Sequence, residues 1–125
     1  MPNMVKLFAV LRRRQGMTTE EFVEHWRDHH GPLIAGEPTL ARHIVRYEQH
    51  VRHVPDMIAG TRDVDGVAVQ WFRSIDDFVS FISEPAYAEL IAPDEQRFLD
   101  MSKVEYVITE EPTVVIDGPL DGDLS

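Results

Sequence analysis

Hydrophobic residues recur along this chain with two periods, one typical of strands and the other of helices. Strand patterns cover residues 5–13, 43–51, 66–73 and 103–109. Helical patterns cover about 19–30 and 74–83, and a further helix over 85–99 is expected to break near Pro93. The order β-α-β-β-α-β predicts an α+β, ferredoxin-like fold with one antiparallel sheet.

The first predicted helix has distinct start and stop signals. Thr18 and Glu21 have the spacing of a capping box at its beginning. At its end, Gly31 is expected to adopt the left-handed conformation, and Pro32 is expected to prevent continuation. His30 would then lie in the last turn, where the helix dipole favours a protonated imidazole.

The first predicted strand is apolar on both faces over residues 5–10, apart from Lys6. Two helices can cover only one face of the sheet, so the other face would expose a large apolar patch. A second copy of the sheet is the simplest cover, which predicts a homodimer.

The remaining segments predict linkers and a tail. Residues 33–41 form an irregular or short helical link, and residues 52–65 form a long loop whose role as a lid stays open. Residues 114–116 are a candidate edge strand, in this sheet or in a partner's. Residues 1–117 are interpreted as one domain, and the acidic tail 118–125 is expected to be disordered.

Composition narrows the range of functions. The net charge is −10, from 12 basic and 22 acidic side chains, and would repel a nucleic-acid backbone. No apolar run is long enough for a membrane span, and residues 1–14 lack a signal-peptide pattern, so we interpret the protein as cytoplasmic. Without cysteine there is no thiolate chemistry, and without a glycine-rich phosphate motif we expect no nucleotide or flavin cofactor.

Two histidines are candidates for proton transfer. His30 is the first, and its alternative interpretation is a helix cap. His50 is the second, with Asp94 as a possible orienting carboxylate, and its alternative is a solvent-exposed strand end. An antiparallel sheet would cluster His30, His43 and Trp71 at one end and place His50 at the other. A site containing both His30 and His50 would therefore need an elongated pocket.

Other polar and aromatic residues are candidates for binding. Tyr47 is suited to a substrate carbonyl, with Arg46 or Trp71 as alternative supports for an oxyanion, and strict alternation puts Tyr47 on the face opposite His50. Trp71 and Phe72 lie on opposite faces of one strand, so one is expected in the core and the other against a ligand.

Two clusters of charged or titratable residues resemble binding sites, but another interpretation is favoured for each. The run 12–14 is all arginine and could clamp a carboxylate, but pairing with acidic residues is favoured. His25 and His29 share a helix face as two zinc ligands would, but Trp26 replaces the glutamate of the catalytic motif, so an exposed charged face is favoured. We predict no metal site.

The segment with Trp26, His30 and Pro32 resembles the signature of the EthD family. Further segments resemble family positions in the same order, so the resemblance covers roughly residues 5–116: Lys6–Arg13, Arg46–Tyr47, Gln49–His50, Asp65–Ala68, Trp71–Phe72, Asp94–Glu95, Phe98, Glu110–Glu111 and Val114–Val115. The resemblance implies a ferredoxin-like fold that pairs into a dimeric α+β barrel. It also implies relatives similar to cofactor-free polyketide cyclases, dehydratases and decarboxylases.

Two functional classes follow from these observations. The first is a small cofactor-independent enzyme, lyase, cyclase or oxidoreductase, that acts on a hydrophobic aromatic or polyketide-like metabolite. Proton transfer by His30 or His50 would drive cyclisation, dehydration, decarboxylation or oxygenation. The second is a non-catalytic binding protein that shelters such a metabolite for a partner oxygenase. A haem- or metal-dependent oxidoreductase is a third class.

Overall fold

The computed structural model describes residues 3–53 and 63–119, which build one antiparallel sheet with helices on one face. The sheet has the order β2-β3-β1-β4, with every neighbouring pair antiparallel. Its strands are β1 Val5–Leu11, β2 Ile44–Val51, β3 Gly66–Phe72 and β4 Glu105–Thr109. The predicted ferredoxin-like α+β fold is confirmed.

Helices fill the connections after β1 and after β3. They are α1 Thr19–His25, α2 Gly31–Ala35, α3 Pro38–Ala41, α4 Ile75–Ser83 and α5 Ala92–Phe98. The capping box predicted for α1 is present, because the Thr18 hydroxyl accepts from the Glu21 backbone N–H at 3.1 Å and the Glu21 carboxylate accepts from the Thr18 backbone N–H at 2.8 Å. Ser74 caps α4 by accepting a hydrogen bond from the Asp77 backbone at 3.1 Å.

Two π-helical turns connect helices that the sequence predicted to end. The first, Trp26–His30, joins α1 to α2, and the second, Tyr87–Ile91, leads into α5. Each is closed by a bond from residue i to residue i−5, and a proline is the second residue after each turn, at Pro32 and at Pro93. A proline lacks the N–H that an α-helix needs and crowds the preceding turn, and the wider π turn accommodates both defects.

The predicted helix stop at Gly31 is therefore wrong, as is the predicted break near Pro93. Gly31 has φ −57° and ψ −53°, which is ordinary right-handed helix. Glycine suits this position because of a close contact: a Cβ there would lie 2.9 Å from Nε2 of Gln49. His30 consequently lies inside a continuous helical segment and not in its last turn.

A β-bulge in β2 changes which face its first residue occupies. Ile44 pairs with Phe72, while Arg46 pairs with the preceding residue Trp71, so Val45 is the extra residue. Ile44 thus joins the core under the helices, on the same face as Tyr47. The predicted alternation is correct from Arg46 onward and wrong for Ile44.

The core lies between the sheet and the helices in two neighbouring clusters. One is built on Phe22, Trp26 and Phe98, all at most 1% exposed. The other is built on Leu40, Phe72, Phe81 and Ile91. The Trp26 ring packs on the start of β3, where a Cβ at Gly66 would lie 2.6 Å from it, so glycine is required by the close approach.

The opposite face of the sheet carries no helix in the described part of the chain. It presents apolar side chains from three strands, Phe8, Val10, Val67, Val69, Trp71 and Val107. The Trp71 ring lies between Lys6, whose ammonium is 5.3 Å from the ring centroid, and Arg46 at 5.7 Å. We call this surface the open face.

The linkers agree with expectation in part. The predicted link 33–41 contains the short helix α3. Most of the predicted loop 52–65 and the end of the predicted tail lie outside the described residues, so the lid and the disorder stay predictions. Residues 114–116 form no strand in this chain, and their side chains are largely exposed. Within 3–53 and 63–119, every helix is too short or too polar to cross a membrane.

Candidate functional site

A cavity of about 600 Å³ lies between the sheet and the helices. Most of its lining is apolar and comes from both core clusters, including Leu7, Leu11, Ile34, Phe81, Ile91 and Leu99. The exposed lining residues Ile82, Tyr106 and Ile108 lie on α4 and on β4, and they mark its mouth. A cavity of this size and polarity is typical of small-molecule binding sites.

Two adjacent rows of strand residues form the floor of the cavity. One row crosses the sheet as Ala68, Ala9 and Tyr106. The two alanines leave the space that larger side chains would fill. The other row crosses as Tyr47, Gln70, Leu7 and Ile108, so it is polar at its inner end and apolar at the mouth.

His30 lines the cavity and is held by one carboxylate. Its Nδ1 lies 2.8 Å from Oδ2 of Asp94, and both residues are buried, at 6% and 4% exposure. An ionised carboxylate only accepts hydrogen bonds, so Nδ1 carries the hydrogen and the neutral ring keeps a lone pair on Nε2. No described residue bonds to Nε2.

Asp94 accepts hydrogen bonds from more than one donor. Its Oδ1 accepts from Nε2 of His25 at 2.9 Å and from Nη1 of Arg97 at 3.2 Å. Burial alone would raise the pKa of Asp94, but the hydrogen bonds from His30 and His25 bring it below its usual value. Asp94 is thus a fixed anion that orients His30.

Burial lowers the pKa of His30 below its usual value, and the opposing hydrogen bond and charge of Asp94 do not cancel the effect. His30 is therefore neutral at pH 7, and its basic Nε2 has no hydrogen-bond partner among the described residues. The predicted protonated cap is wrong, because the helix continues and buries the ring. A buried neutral imidazole held by a carboxylate is arranged to accept a proton.

The two π turns place this pair. His30 is the last residue of the first π turn, and Asp94 lies in the first turn of α5, directly after the second π turn. The ring of Phe98, one turn along α5, stacks on His25 and lies tilted against His30, with centroids 4.8 and 4.9 Å apart. π turns are common at functional sites because they redirect side chains out of the regular spacing.

Glu95 is a second titratable group in the cavity. Its Oε2 accepts a hydrogen bond from the Tyr87 hydroxyl at 3.1 Å. Burial raises the pKa of Glu95 to about 7 against the lowering effect of that bond, and the charge of Asp94 adds to the increase. Burial and the charge of Glu95 in turn raise the pKa of Tyr106 to about 12. At neutral pH a large share of Glu95 therefore carries a proton.

The burial of Glu95 predicts a dependence of stability on pH. Between about pH 4.5 and pH 7 the folded state binds more protons than the unfolded state, so the free energy of unfolding falls as pH rises. At pH 8, the free energy of unfolding of Glu95→Gln is expected to exceed that of wild type by up to about 3 kcal/mol. The two free energies are expected to converge near pH 5. Urea denaturation at both values measures this.

The matched control is Glu89→Gln, which makes the same change at an exposed position of the same helical segment. It is expected to leave the pH dependence unchanged. Equal slopes for wild type and Glu95→Gln would contradict the burial of this carboxyl group.

Tyr47 and Gln70 complete the polar part of the lining. The Tyr47 hydroxyl accepts a hydrogen bond from Nε2 of Gln49 at 3.0 Å, and the same nitrogen donates to the Trp26 carbonyl at 2.9 Å. Burial raises the pKa of Tyr47, so its hydroxyl stays protonated. Gln70 is 7% exposed and lies beside Tyr47 on the floor.

The other predicted site residues lie outside the cavity. His50 and Arg46 lie on the open face, where both bond to Glu48, at 2.8 and 2.7 Å. Trp71 is on that face too, while Phe72 is fully buried in the core and does not line the cavity. Of the seven predicted residues, the structure brings together His30, Tyr47 and Asp94, with Asp94 on His30 and not on His50.

The predicted cluster of His30, His43 and Trp71 does not form. His43 bonds to Glu84 at 2.6 Å, and Trp71 points to the opposite face from His30. The Trp26 ring packs against Gly66, at the start of β3. The first helical segment therefore crosses the sheet along a different path from the one that simple antiparallel geometry implies.

The two clusters with alternative explanations resolve differently. Arg13 binds the buried Asp65 at 2.6 Å, and Arg12 binds Glu105 at 2.7 Å, so these arginines pair with acidic residues as favoured. His29 lies on the exposed charged face that was favoured, together with Glu21, Glu24 and Asp28, whereas His25 is half-buried and bonds to Asp94. In the described part of the chain no three His, Cys, Asp or Glu side chains converge as metal ligands do.

Sequence reasoning assigned no role to Glu95, Tyr87 or Gln70, and it considered His25 only as a possible zinc ligand. A glutamate next to an aspartate at the start of a helix usually indicates compensation of the helix dipole. A single glutamine in an apolar strand indicates no particular chemistry. One signal was present: Gln70 interrupts the otherwise apolar run Val67–Phe72, where a polar residue needs a reason.

The model of the EthD domain matches residues 14–102. The chain belongs to the EthD family. Two curated fungal proteins are similar to this EthD protein along most of their length. The dehydratase ustZ of Ustilaginoidea virens is 25% identical over 122 residues, covering 90% of this chain and 87% of its own. The conidial pigment biosynthesis dehydratase EthD of Metarhizium robertsii is 27% identical over 101 residues, covering 73% and 70%.

Solved structures share the fold of this EthD protein at low sequence identity. Hydroxynitrile lyase from Passiflora edulis superposes with a TM-score of 0.69 at 14% identity, covering 91% of this chain and 98% of its own. SnoaB, a cofactor-independent oxygenase from Streptomyces nogalater, gives 0.63 at 13%, covering 92% and 99%. A dimeric protein of ferredoxin-like fold from Bacteroides fragilis gives 0.64 at 16%, covering 86% and 96%.

Proposed function

We propose that this EthD protein is a small enzyme that dehydrates a hydrophobic, aromatic or polyketide-like hydroxy ketone. The observation that carries the proposal is the bond between His30 Nδ1 and Asp94 Oδ2 inside the apolar cavity. It leaves a basic nitrogen, oriented and shielded from water, facing the space where a ligand would bind. The two similar fungal proteins named dehydratases support the choice of reaction.

The reaction needs a base and an acid on one substrate. Nε2 of His30 takes a proton from the carbon next to the ketone, and the electron pair moves toward the carbonyl oxygen as an enolate. The hydroxyl on the next carbon then leaves, and it needs a proton to depart as water. Protonated Glu95 lines the same cavity and is the group assigned to this step. His30 then returns its proton, and Glu95 regains one.

The proposal is tested with 3-hydroxy-1-tetralone, a bicyclic hydroxy ketone that fits the cavity. Loss of one water gives an unsaturated ketone that tautomerises to 1-naphthol, so product formation is followed by naphthol fluorescence. Wild type is expected to accelerate the reaction well above buffer. A protein that binds the ketone without accelerating its dehydration would instead be a carrier, which is the alternative function.

We also propose that the protein acts as a homodimer through the open face. A contiguous apolar surface built from three strands is typical of a protein–protein interface. The dimeric Bacteroides fragilis protein of the same fold supports this arrangement. Two open faces packed together would form the closed α+β barrel that the family resemblance implies.

A charge placed on the open face tests the dimer. Val107 is 53% exposed there, and Val107→Glu is expected to convert the dimer to a monomer in sedimentation velocity, because it would bury an unpaired carboxylate at the interface. Val79→Glu is the control, since Val79 is 49% exposed on α4, on the helical side. A wild-type monomer, or a Val107→Glu dimer of unchanged affinity, would refute the proposed interface.

A further inference from the structure

Gln70 is a buried polar side chain that lines the cavity and has no hydrogen-bond partner for its side chain among the described residues. It lies at the middle of β3 with only 7% of its surface exposed. Its backbone pairs in the strand ladder, but its side-chain amide makes no hydrogen bond to residues 3–53 and 63–119. Buried amides are almost always hydrogen-bonded, and one that faces a cavity is available to a ligand.

Tyr47 offers a second donor directly beside it. The two residues pair across β2 and β3, which places their Cβ atoms about 5 Å apart. The Tyr47 oxygen already accepts from Gln49, and its own hydrogen has no acceptor among the described residues. Two N–H or O–H donors therefore lie side by side at the inner end of the floor.

We infer that Gln70 and Tyr47 together bind the carbonyl oxygen of an aromatic ketone, and the enolate oxygen that forms from it. Two adjacent donors select a hydrogen-bond acceptor, and a ketone oxygen accepts two bonds at once. The inference rests on the proposed function, because it assigns the cavity to the substrate and adds the class of its anchoring group.

The floor of the cavity sets the direction of the ligand. From the inner end to the mouth, the row runs Tyr47, Gln70, Leu7 and Ile108. The carbonyl lies at the polar inner end, and the apolar rings lie over Leu7 toward β4. Donors placed at the oxygen where negative charge develops also stabilise the enolate more than the ketone, so the pair favours proton removal by His30.

Binding of two matched probes tests the inference without any turnover. 1-Tetralone carries the ketone but no leaving hydroxyl, and tetralin lacks the ketone. Isothermal titration calorimetry is carried out with wild type, Gln70→Leu and Tyr47→Phe. Each substitution is expected to weaken 1-tetralone binding about tenfold and to leave tetralin binding equal or tighter, because only the ketone loses a hydrogen bond.

Several controls separate the possible outcomes. Gln96→Leu makes the same substitution at an exposed position of α5 and is expected to change neither affinity. Gln70→Leu removes an unpaired buried amide and is expected to melt no lower than wild type. Should it fail to fold, Tyr47→Phe, which removes a single oxygen, still decides the question.

The inference and the proposed function fail in different ways. His30→Gln is expected to keep the wild-type preference between the two probes, since it removes no donor at the inner end. Variants of Gln70 and Tyr47 that bind 1-tetralone as tightly as wild type, or that lose both probes equally, would overturn the inference while leaving proton transfer by His30 intact.

Discussion

Replacing His30 with glutamine is expected to lower the rate of 3-hydroxy-1-tetralone dehydration by about 10²- to 10⁴-fold. Glutamine fills much of the same space and can still donate to Asp94, but it has no basic nitrogen. The affinity for the unreactive 1-tetralone should change little, because His30 contributes chemistry more than contact area. Steady-state rates from naphthol fluorescence, together with calorimetric affinities, measure the two effects separately.

His29→Gln is the matched control, since His29 is the exposed neighbour on the same helical turn. It should leave the dehydration rate unchanged. Wild-type activity should persist at pH 6.5 and fall only at lower pH, because burial holds the pKa of His30 below its usual value and only the neutral ring accepts a proton. A His30→Gln variant with the rate of wild type would exclude His30 as the base.

Replacing Phe72 with alanine is expected to lower the free energy of unfolding by about 3–5 kcal/mol. Phe72 is fully buried and contacts the rings of Phe78 and Phe81, with centroids 5.3 and 5.5 Å apart. Truncation removes these contacts and leaves a void under α4. Chemical denaturation of both proteins measures the difference.

Val79→Ala on the exposed side of α4 is the corresponding control, and it should change stability by less than about 0.5 kcal/mol. A small effect of Phe72→Ala would mean that the second core cluster is loosely packed. The comparison also decides between the sequence-based role of Phe72 in substrate binding and its position in the core, because a core residue alters stability before affinity.

The sequence predicted the order of helices and strands along the chain well because its signals were redundant. Four runs with strand periodicity, two helical patterns and a capping box at Thr18 and Glu21 all pointed to the same element order. Local propensity and hydrophobic pattern rarely agree by chance over a whole chain, so this part of the fold could be predicted with few alternatives.

The errors came from three local irregularities with no sequence signature of their own. The two π turns carry helices through Gly31–Pro32 and past Pro93, where helix rules predict a stop or break. The bulge at Val45 moves Ile44 to the other face. Each depends on tertiary packing, because the burial of residues such as Trp26 compensates for an unfavourable local backbone conformation.

The candidate site was predicted only as far as single residues allow. His30 was found from its position before Gly31–Pro32, and Asp94 was found as an orienting carboxylate but assigned to His50. The pairing of His30 with Asp94 depends on how the two π turns set α1 against α5, which periodicity does not encode. Glu95 and Gln70 become candidates only when their burial is known.

The central claim is that His30 removes a proton from the carbon next to a ketone bound in the cavity. Deuterium exchange at C2 of 1-tetralone in D₂O, followed by proton NMR, measures that step alone and needs neither a leaving group nor the natural substrate. Wild type should accelerate loss of the C2 proton signal well above buffer, and His30→Gln should return the rate to that of buffer. Exchange that is absent in wild type, or equally fast in His30→Gln, would contradict the account.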